Sequence, residues 1–112
     1  SLGSQRYFSA LAHCDLVIGN SSSGIMEAPS FNLPTINIGD RQARRMRAQS
    51  VIDCAATAAA IQEAIHRGLS LDCSGFDNPY GDGRAARHIV DTLAKIDTPR
   101  SLTRKSFVDL PL

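Results

Sequence analysis

The feature that most constrains this chain is the segment of residues 16–27, which reads LVIGNSSSGIME. The apolar run at its start ends at Gly19, and the segment resumes after a polar interval as an amphipathic stretch. This pattern predicts a strand, a polar turn and a helix. A helix that begins after such a turn leaves its first backbone N–H groups without internal partners, which is typical of a phosphate-binding turn. The candidate anion-binding residues are Ser21, Ser22, Ser23 and Gly24.

Glu27 closes this segment and allows two interpretations. If it lies about one turn inside the helix, its carboxylate is favoured by the positive helix end and can accept hydrogen bonds from sugar hydroxyls. The same spacing also fits a capping box, with Ser22 or Ser23 as the N-cap and the carboxylate following. These residues alone leave both interpretations open.

Length and composition limit the classes of protein to which the chain can belong. With 112 residues and 43% hydrophobic content, it can form one small globular domain. Twelve basic and eleven acidic side chains give a net charge of +1, unlike the strongly basic surface of a nucleic-acid binder. No stretch approaches the roughly 18 apolar residues of a membrane span, and the start lacks a signal-peptide pattern. We therefore expect a soluble, cytoplasmic protein that binds neither nucleic acid nor membrane.

The cysteines do not form a disulfide or metal pattern. Cys14, Cys54 and Cys73 are odd in number and widely spaced, and none has a second Cys or His at ligand spacing. We interpret them as reduced packing residues and expect no metal site.

Apolar periodicity and turn residues predict alternating helices and strands. The predicted strands are residues 16–18, Thr35–Ile38 and about 51–53. The predicted helices are a first one capped by Ser4 and closed by residues 14–15, one from the serine turn to about residue 30, one over residues 55–67 stopped by Gly68, and one of about 12 residues from residue 84. A strand, helix and strand in succession form a βαβ unit with parallel strands.

This succession predicts an α/β fold, a Rossmann-like three-layer sandwich with a short parallel sheet. We assign residues 1–97 to this domain and residues 98–112 to a C-terminal tail. Because the chain opens on a helix and not on a central strand, we expect it to be the later part of a larger domain.

Ligands of open parallel sheets bind in the crevice outside the carboxyl ends of the strands. The serine turn follows the first predicted strand, and an arginine-rich loop, residues 40–47, follows the second. Guanidinium groups suit bidentate phosphate contacts, so Arg41 and Arg45 opposite the serine turn predict a clamp for a diphosphate. The alternative is a solvated charged loop.

The sequence offers no evident catalytic group. His13, His66 and His88 fall on helical patterns at unrelated positions, and we interpret them as surface or boundary residues. A nucleophile elbow and paired carboxylates are both missing from the pattern. The chain therefore has the pattern of a binding region without the reacting groups.

Three blocks of sequence together resemble a known family. They read VIGNSSSGIMEAP at residues 17–29, PTINIGDRQ at residues 34–42 followed by Arg45, and NPYGDG at residues 78–83. They resemble the carboxyl-terminal part of the hydrolysing UDP-N-acetylglucosamine 2-epimerases of sialic-acid-type sugar biosynthesis. The resemblance implies two Rossmann-like domains facing across a cleft, as in GT-B glycosyltransferases, with UDP held by the later domain. It also implies that this chain is the last quarter to third of such an enzyme.

The resemblance further implies roles for individual residues. Ser21 and Ser22 would bind the diphosphate, Glu27 the ribose hydroxyls, and Arg41 together with Arg45 the phosphates and leaving group. The implied reaction eliminates UDP across the sugar C1–C2 bond to give a 2-acetamidoglucal and then adds water, yielding the 2-epimeric free sugar. Its acid–base groups would lie upstream, so we expect no catalytic residue in this chain. At residue 44 the chain has arginine where the family usually has glycine.

The ligands implied are UDP and a UDP-sugar, with no separate cofactor. The partner implied is the upstream part of the enzyme. Because the strands that normally precede this part are missing, we also expect one side of the sheet or the first helix to be exposed and the chain to form a homo-oligomer. Two alternatives remain open: the donor-binding domain of a GT-B glycosyltransferase, and a stand-alone nucleotide-sugar-binding module. The block around Arg41 and the NPYGDG block favour the epimerase, while the sequence does not distinguish N-acetylglucosamine from a 2,4-diacetamido relative as the sugar.

Overall fold

A computed structural model describes residues 2–97 together with residues 103 and 108. The predicted tail, residues 98–112, lies outside the described residues apart from those two, and its boundary stays a prediction. The chain divides into two compact units, Ser1–Asp82 and Gly83–Leu112. The sheet and both predicted ligand loops belong to the first unit. In the described part of the chain, no helix is long and apolar enough to cross a membrane.

Short helices and strands alternate along the chain. In order they are α1 (Gly3–Leu11), β1 (Val17–Gly19), α2 (Ser23–Met26), a 3₁₀ helix (Ala28–Phe31), β2 (Thr35–Ile38), β3 (Val51–Cys54), α3 (Ala58–Leu69) and α4 (Ala85–Ala94). The three strands form one parallel sheet in the order β1-β2-β3. The predicted parallel strands and the predicted α/β class are therefore confirmed.

Helices lie on both faces of this sheet. Successive side chains of a strand point to opposite faces, so Thr35 and Ile36 of β2 face opposite layers. Gly24 of α2 lies against Thr35, while Ala64 of α3 packs with Ile36. The result is the predicted three-layer arrangement of helix, sheet and helix.

Each face of the sheet has its own apolar cluster. The first cluster has Leu11, Ala28 and Leu33 at its centre, and the second has Ile36, Ile52 and Ala64. Side chains partly buried against the first are Tyr7, Val17 and Phe31, and those against the second are Leu16, Ile38, Cys54, Ile65 and Leu71. The first cluster joins α1 to the 3₁₀ helix, and it therefore fixes α1 beside the serine turn.

The structure corrects several local predictions. Ser4 lies inside α1, whose N-cap is Leu2 without a side-chain cap, and the helix ends at Leu11, before the predicted residues 14–15. Gly68 does not stop α3 but lies within it, buried, where an added Cβ would be 3.0 Å from the Cδ1 atom of Ile36. Gly68 therefore allows close packing of the helix on the sheet and does not terminate the helix. Cys14, interpreted as a packing residue, is exposed.

Candidate functional site

The serine turn links the end of β1 to the start of α2, and hydrogen bonds of its serine hydroxyls shape it. The backbone N–H of Ser23 donates to the Oγ atom of Ser21 at 3.3 Å, and Ser22 is the N-cap but makes no side-chain cap hydrogen bond. The capping box, one of the two interpretations of this segment, is not formed; instead, the hydroxyl of Ser23 donates to the Glu27 carboxylate at 2.5 Å. Glu27 follows the last residue of α2, which has only four residues. A helix this short has a weak dipole, so the site depends on individual donors.

Gly24 anchors the turn to the sheet. Its carbonyl oxygen accepts a hydrogen bond from the Oγ1 atom of Thr35 at 2.8 Å, and both residues are buried. A Cβ atom at position 24 would be 2.6 Å from the Cγ2 atom of Thr35. The turn can approach β2 this closely only because residue 24 has no side chain.

Glu27 is half-buried beside a small apolar pocket. The pocket has a volume of about 190 Å³, and Phe8, Met26, Ser30 and Phe31 line it together with Glu27. The hydroxyl of Tyr7, on α1, contacts the hydroxyl of Ser23. Tyr7 was not among the residues that the sequence pattern proposed for the site, because nothing local links it to the serine turn.

The arginine loop lies against the serine turn, as the parallel topology predicts. An Nη1–H of Arg41 donates to the side-chain oxygen of Asn20 at 3.3 Å. The side-chain amide of Gln42 donates to the backbone carbonyl oxygen of Asn20 at 2.9 Å. Gln42 is buried while Arg41 is exposed, so the first holds the loop and the second projects its charge toward solvent beside the serines.

Arg47 ties the arginine loop to the ends of the strands. It forms an ion pair with Asp53 of β3 and donates to the backbone oxygen of Gln42 at 2.9 Å. The buried side chain of Asn37 donates to the other carboxylate oxygen of Asp53 at 2.6 Å. Arg47 is therefore an anchor of the loop, whereas Arg41, Arg44 and Arg45 are exposed and take no part in this ion pair.

Arg44 and Arg45 form the exposed tip of the loop. Arg44 has a φ of 66°, in the left-handed region where glycine is favoured. This is the position at which the family resemblance predicts a glycine. An Nη1 atom of Arg45 lies 3.7 Å from the Sδ atom of Met26, so Arg45 reaches the residue next to Glu27.

The NPYGDG block contacts both sides of the site. The side-chain amide of Asn78 donates to the backbone oxygen of Met26 and to the hydroxyl of Ser30. The hydroxyl of Tyr80 donates to the backbone oxygen of Met46 in the arginine loop at 3.0 Å. The sequence pattern identified this block through the resemblance, but it did not indicate that the block bridges the two loops.

The serine turn and the arginine loop contact each other at the carboxyl ends of β1 and β2, and Arg45 reaches Met26 beside Glu27. We call this group of residues the crevice, because ligands of open parallel sheets bind at this end of the strands. One side offers hydroxyl and backbone donors and one carboxylate, and the other offers guanidinium groups. Such a site can bind an anion next to a hydroxyl-rich group. The histidines His13, His66 and His88 are all exposed, and none takes part in the crevice contacts described above.

A short parallel sheet with helices on both faces and polar loops at one end of its strands defines a Rossmann-like α/β fragment. The chain belongs to the UDP-N-acetylglucosamine 2-epimerase family, whose sequence pattern matches residues 1–94.

Individual relatives support this assignment. The chain is 37% identical over 99 residues to a UDP-N,N'-diacetylbacillosamine 2-epimerase (hydrolyzing) of Legionella pneumophila, a match over 88% of the chain and 26% of that protein. It is 35% identical over 119 residues to polysialic acid biosynthesis protein P7 of Escherichia coli, over 99% and 29%. It is 32% identical over 105 residues to a UDP-N-acetylglucosamine 2-epimerase of Neisseria meningitidis, over 91% and 28%. The chain therefore spans between 26% and 29% of the length of these relatives.

Proposed function

We propose that this chain is the UDP-binding part of a hydrolysing 2-epimerase that acts on UDP-N-acetylglucosamine or a related UDP-sugar. The family assignment and the names of the relatives support an epimerase. The observation that carries the nucleotide site is the contact of Arg41 with Asn20 at 3.3 Å, because it brings a guanidinium group to the serine turn.

The phosphates would lie between the two loops. Ser21 is exposed and Ser22 half-exposed, so their hydroxyls are accessible to an anion, while the hydrogen of the Ser23 hydroxyl is already donated to Glu27. Ser23 and Gly24 would therefore contribute backbone shape more than side-chain donors. Arg41 would close the site from the opposite side, and Arg45 would approach along α2.

Glu27 would bind the ribose. Among the described residues, the hydrogen bond to the Glu27 carboxylate comes from the hydroxyl of Ser23 and goes to its Oε2 atom. Its Oε1 atom is then available to accept from a ribose hydroxyl, since an ionised carboxylate has two oxygens and about four acceptor positions. The separation of roles between Arg41 and Glu27 matches a nucleoside diphosphate, which is anionic at one end and hydroxyl-bearing in the middle.

The reaction would need groups beyond these. We propose that the whole enzyme eliminates UDP from the sugar and adds water to the resulting glycal, with the acid–base groups in its upstream part. Positioned acid–base groups supply rate factors of about 10²–10⁴ each, so this chain alone should release no UDP from UDP-N-acetylglucosamine above the rate of a Glu27→Ala control. The upstream part, UDP and the UDP-sugar are its proposed partners, with no separate cofactor.

We also propose that the protein self-associates. In the second unit, α4 exposes the apolar side chains of Ile89, Val90 and Leu93. An exposed apolar face of a few hundred square ångströms, roughly, is typical of an interaction surface. Sedimentation that shows only a monomer at high concentration would contradict this proposal.

The test of the nucleotide site compares UDP with uridine. In the full-length natural protein that carries this chain, UDP should bind more tightly than uridine, and Arg41→Ala should remove most of that difference. A charge-assisted phosphate contact contributes about 1.5–3 kcal/mol, so the UDP affinity should fall roughly 10- to 150-fold while the uridine affinity stays unchanged. Arg67→Ala, which removes an exposed arginine of α3, is the matched control. An unchanged ratio of the two affinities in Arg41→Ala would show that the clamp does not exist.

A further inference from the structure

A chain of hydroxyl groups leads from α1 to the carboxylate of Glu27. The hydroxyls of Tyr7 and Ser23 are in contact, and the Oγ atom of Ser23 lies 2.5 Å from the Oε2 atom of Glu27. An ionised carboxylate only accepts hydrogen bonds, so the single hydrogen of the Ser23 hydroxyl points to Glu27. The Tyr7 hydroxyl must then be the donor to Ser23, and the chain runs in one direction from tyrosine to serine to glutamate.

The ring of Tyr7 is held in place by the core. It is half-buried and packs against the first apolar cluster, and its centroid is 5.9 Å from that of Phe8. A fixed ring presents its hydroxyl at a fixed point, whereas a free glutamate side chain on the surface samples many rotamers. Consecutive hydrogen bonds of this kind also strengthen one another in a partly buried site.

We infer that Tyr7 is a positioning residue for ribose recognition. Its hydroxyl orients Ser23, and Ser23 holds one carboxylate oxygen of Glu27 so that the other faces the ribose hydroxyls. Tyr7 acts through these two residues and does not itself contact the ribose through its hydroxyl. This role presupposes the UDP site proposed above and assigns part of its selectivity for ribose to a residue of α1.

The test measures how strongly the protein distinguishes UDP from 2′,3′-dideoxy-UDP, which lacks both ribose hydroxyls. Calorimetric titration of the full-length natural protein gives the dissociation constant of each nucleotide. The dissociation constant of 2′,3′-dideoxy-UDP divided by that of UDP is the ratio that reports recognition of the hydroxyls. Tyr7→Phe keeps the ring and removes only the hydroxyl. It should lower the ratio about 2- to 12-fold, the value of one neutral hydrogen bond, while the affinity for 2′,3′-dideoxy-UDP stays unchanged.

Two further variants isolate the chain of contacts. Ser23→Ala should lower the ratio at least as much as Tyr7→Phe, and the double variant should match Ser23→Ala alone, because the two residues act in series. Ser9→Ala is the control, since it removes another hydroxyl of α1, one that donates to the backbone oxygen of Gln5. Its ratio should equal that of the wild type.

The outcomes separate this inference from the proposed nucleotide site. If Glu27→Ala abolishes the discrimination but Tyr7→Phe leaves it intact, Tyr7 has no positioning role and the ribose site stands. If Tyr7→Phe weakens both nucleotides equally, Tyr7 supports the fold only, and the inference is wrong. If Glu27→Ala leaves the ratio unchanged, both the ribose role of Glu27 and the positioning role of Tyr7 are overturned, whereas the phosphate clamp is judged separately by Arg41→Ala.

Discussion

The side-chain amide of Asn78 donates a hydrogen bond to the backbone oxygen of Met26 at 2.9 Å, although the two residues are far apart in the sequence. Met26 is the last residue of α2, and carbonyl groups at a helix end have no partner within the helix. The same amide donates to Ser30 at 2.7 Å, and Tyr80 reaches the arginine loop at Met46. The NPYGDG block therefore spans from the glutamate side of the crevice to its arginine side.

We expect Asn78→Ala to loosen the crevice. The variant loses the two hydrogen bonds that the Asn78 amide donates and a third that its side-chain oxygen accepts from the backbone N–H of Tyr80. At this partly exposed site the loss should lower the free energy of unfolding by at least about 1 kcal/mol. UDP affinity should fall together with the melting temperature, because both sides of the site lose their link. The exposed neighbour Asp77 provides the control Asp77→Ala. If Asn78→Ala has the melting temperature and the UDP affinity of the wild type, the NPYGDG block does not stabilise the crevice.

Gly24→Ala should destabilise the protein because of one methyl group on β2. The new Cβ would lie 2.6 Å from the Cγ2 atom of Thr35, whose hydroxyl is held by the carbonyl oxygen of Gly24. Overpacking of this kind costs about 1–3 kcal/mol. Thr35→Ser removes that methyl and keeps the hydroxyl, so the double variant should recover most of the loss in chemical denaturation. A double variant that is no more stable than Gly24→Ala would contradict this account.

Arg44→Gly should stabilise the arginine loop. A left-handed conformation costs a residue with a side chain about 1–2 kcal/mol, of which the greater freedom of glycine in the unfolded chain cancels a part. With a φ of 66° at Arg44, we expect a net gain of about 0.5–1 kcal/mol in thermal denaturation. Arg44→Ala separates the loss of charge from the relief of strain and should show no gain. Ala43→Gly, at a neighbour without positive φ, should be neutral or destabilising.

The cysteines should differ in reactivity. Burial raises the pKa of the Cys73 thiol above its ordinary value, and the negative charge of Asp72 raises it further. Hydrogen bonds from Ser74 to the Asp72 carboxylate lower the pKa of that carboxyl and keep it charged. The thiolate is the reactive form, so iodoacetamide at mildly alkaline pH should label exposed Cys14 well before buried Cys73. Mass spectrometry of the tryptic peptides measures this order, and equal labelling rates would contradict it.

The same thiol makes stability depend on pH in the alkaline range. In the unfolded chain Cys73 ionises at its ordinary pKa of 9.0, and in the folded chain it ionises at higher pH. The folded state therefore binds more protons in the interval between the two values, and its stability falls as pH rises through that interval. Below pH 9.0 the Cys73 thiol is protonated in both states, so its full contribution to the stability of the folded state is present there. Cys73→Ser should reduce this alkaline slope relative to the wild type.

The sheet could be predicted from the sequence because its signals are local. Apolar runs bounded by turn residues predicted β1, β2 and β3 to within about a residue, and the chain order of strands and helices predicted that they are parallel. That topology alone also predicted that the serine turn and the arginine loop lie next to each other. Both loops come directly after adjacent parallel strands.

Other features depended on contacts that no local pattern contains. A glycine after an apolar helical pattern is typical of a helix end, but Gly68 lies within α3, where the close approach of Ile36 on the sheet leaves little room for a side chain. The serine turn has the spacing of a capping box, but Tyr7 on a separate helix directs the hydroxyl of Ser23 toward Glu27. In both cases the deciding partner belongs to another element, and packing outweighed the local preference of the sequence.

The order of the strands in the sheet is also their order along the chain. Both walls of the crevice therefore come from one uninterrupted stretch, residues 20–46, held between β1 and β3. The two walls therefore belong to one contiguous segment whose ends adjoin strands of the sheet. Replacing that single segment would exchange both walls together between related proteins. Such a graft would carry Asn20, Arg41 and Gln42 as a set and keep their mutual contacts, but it would leave behind Tyr7, Arg47 and Asn78, which support the walls from outside.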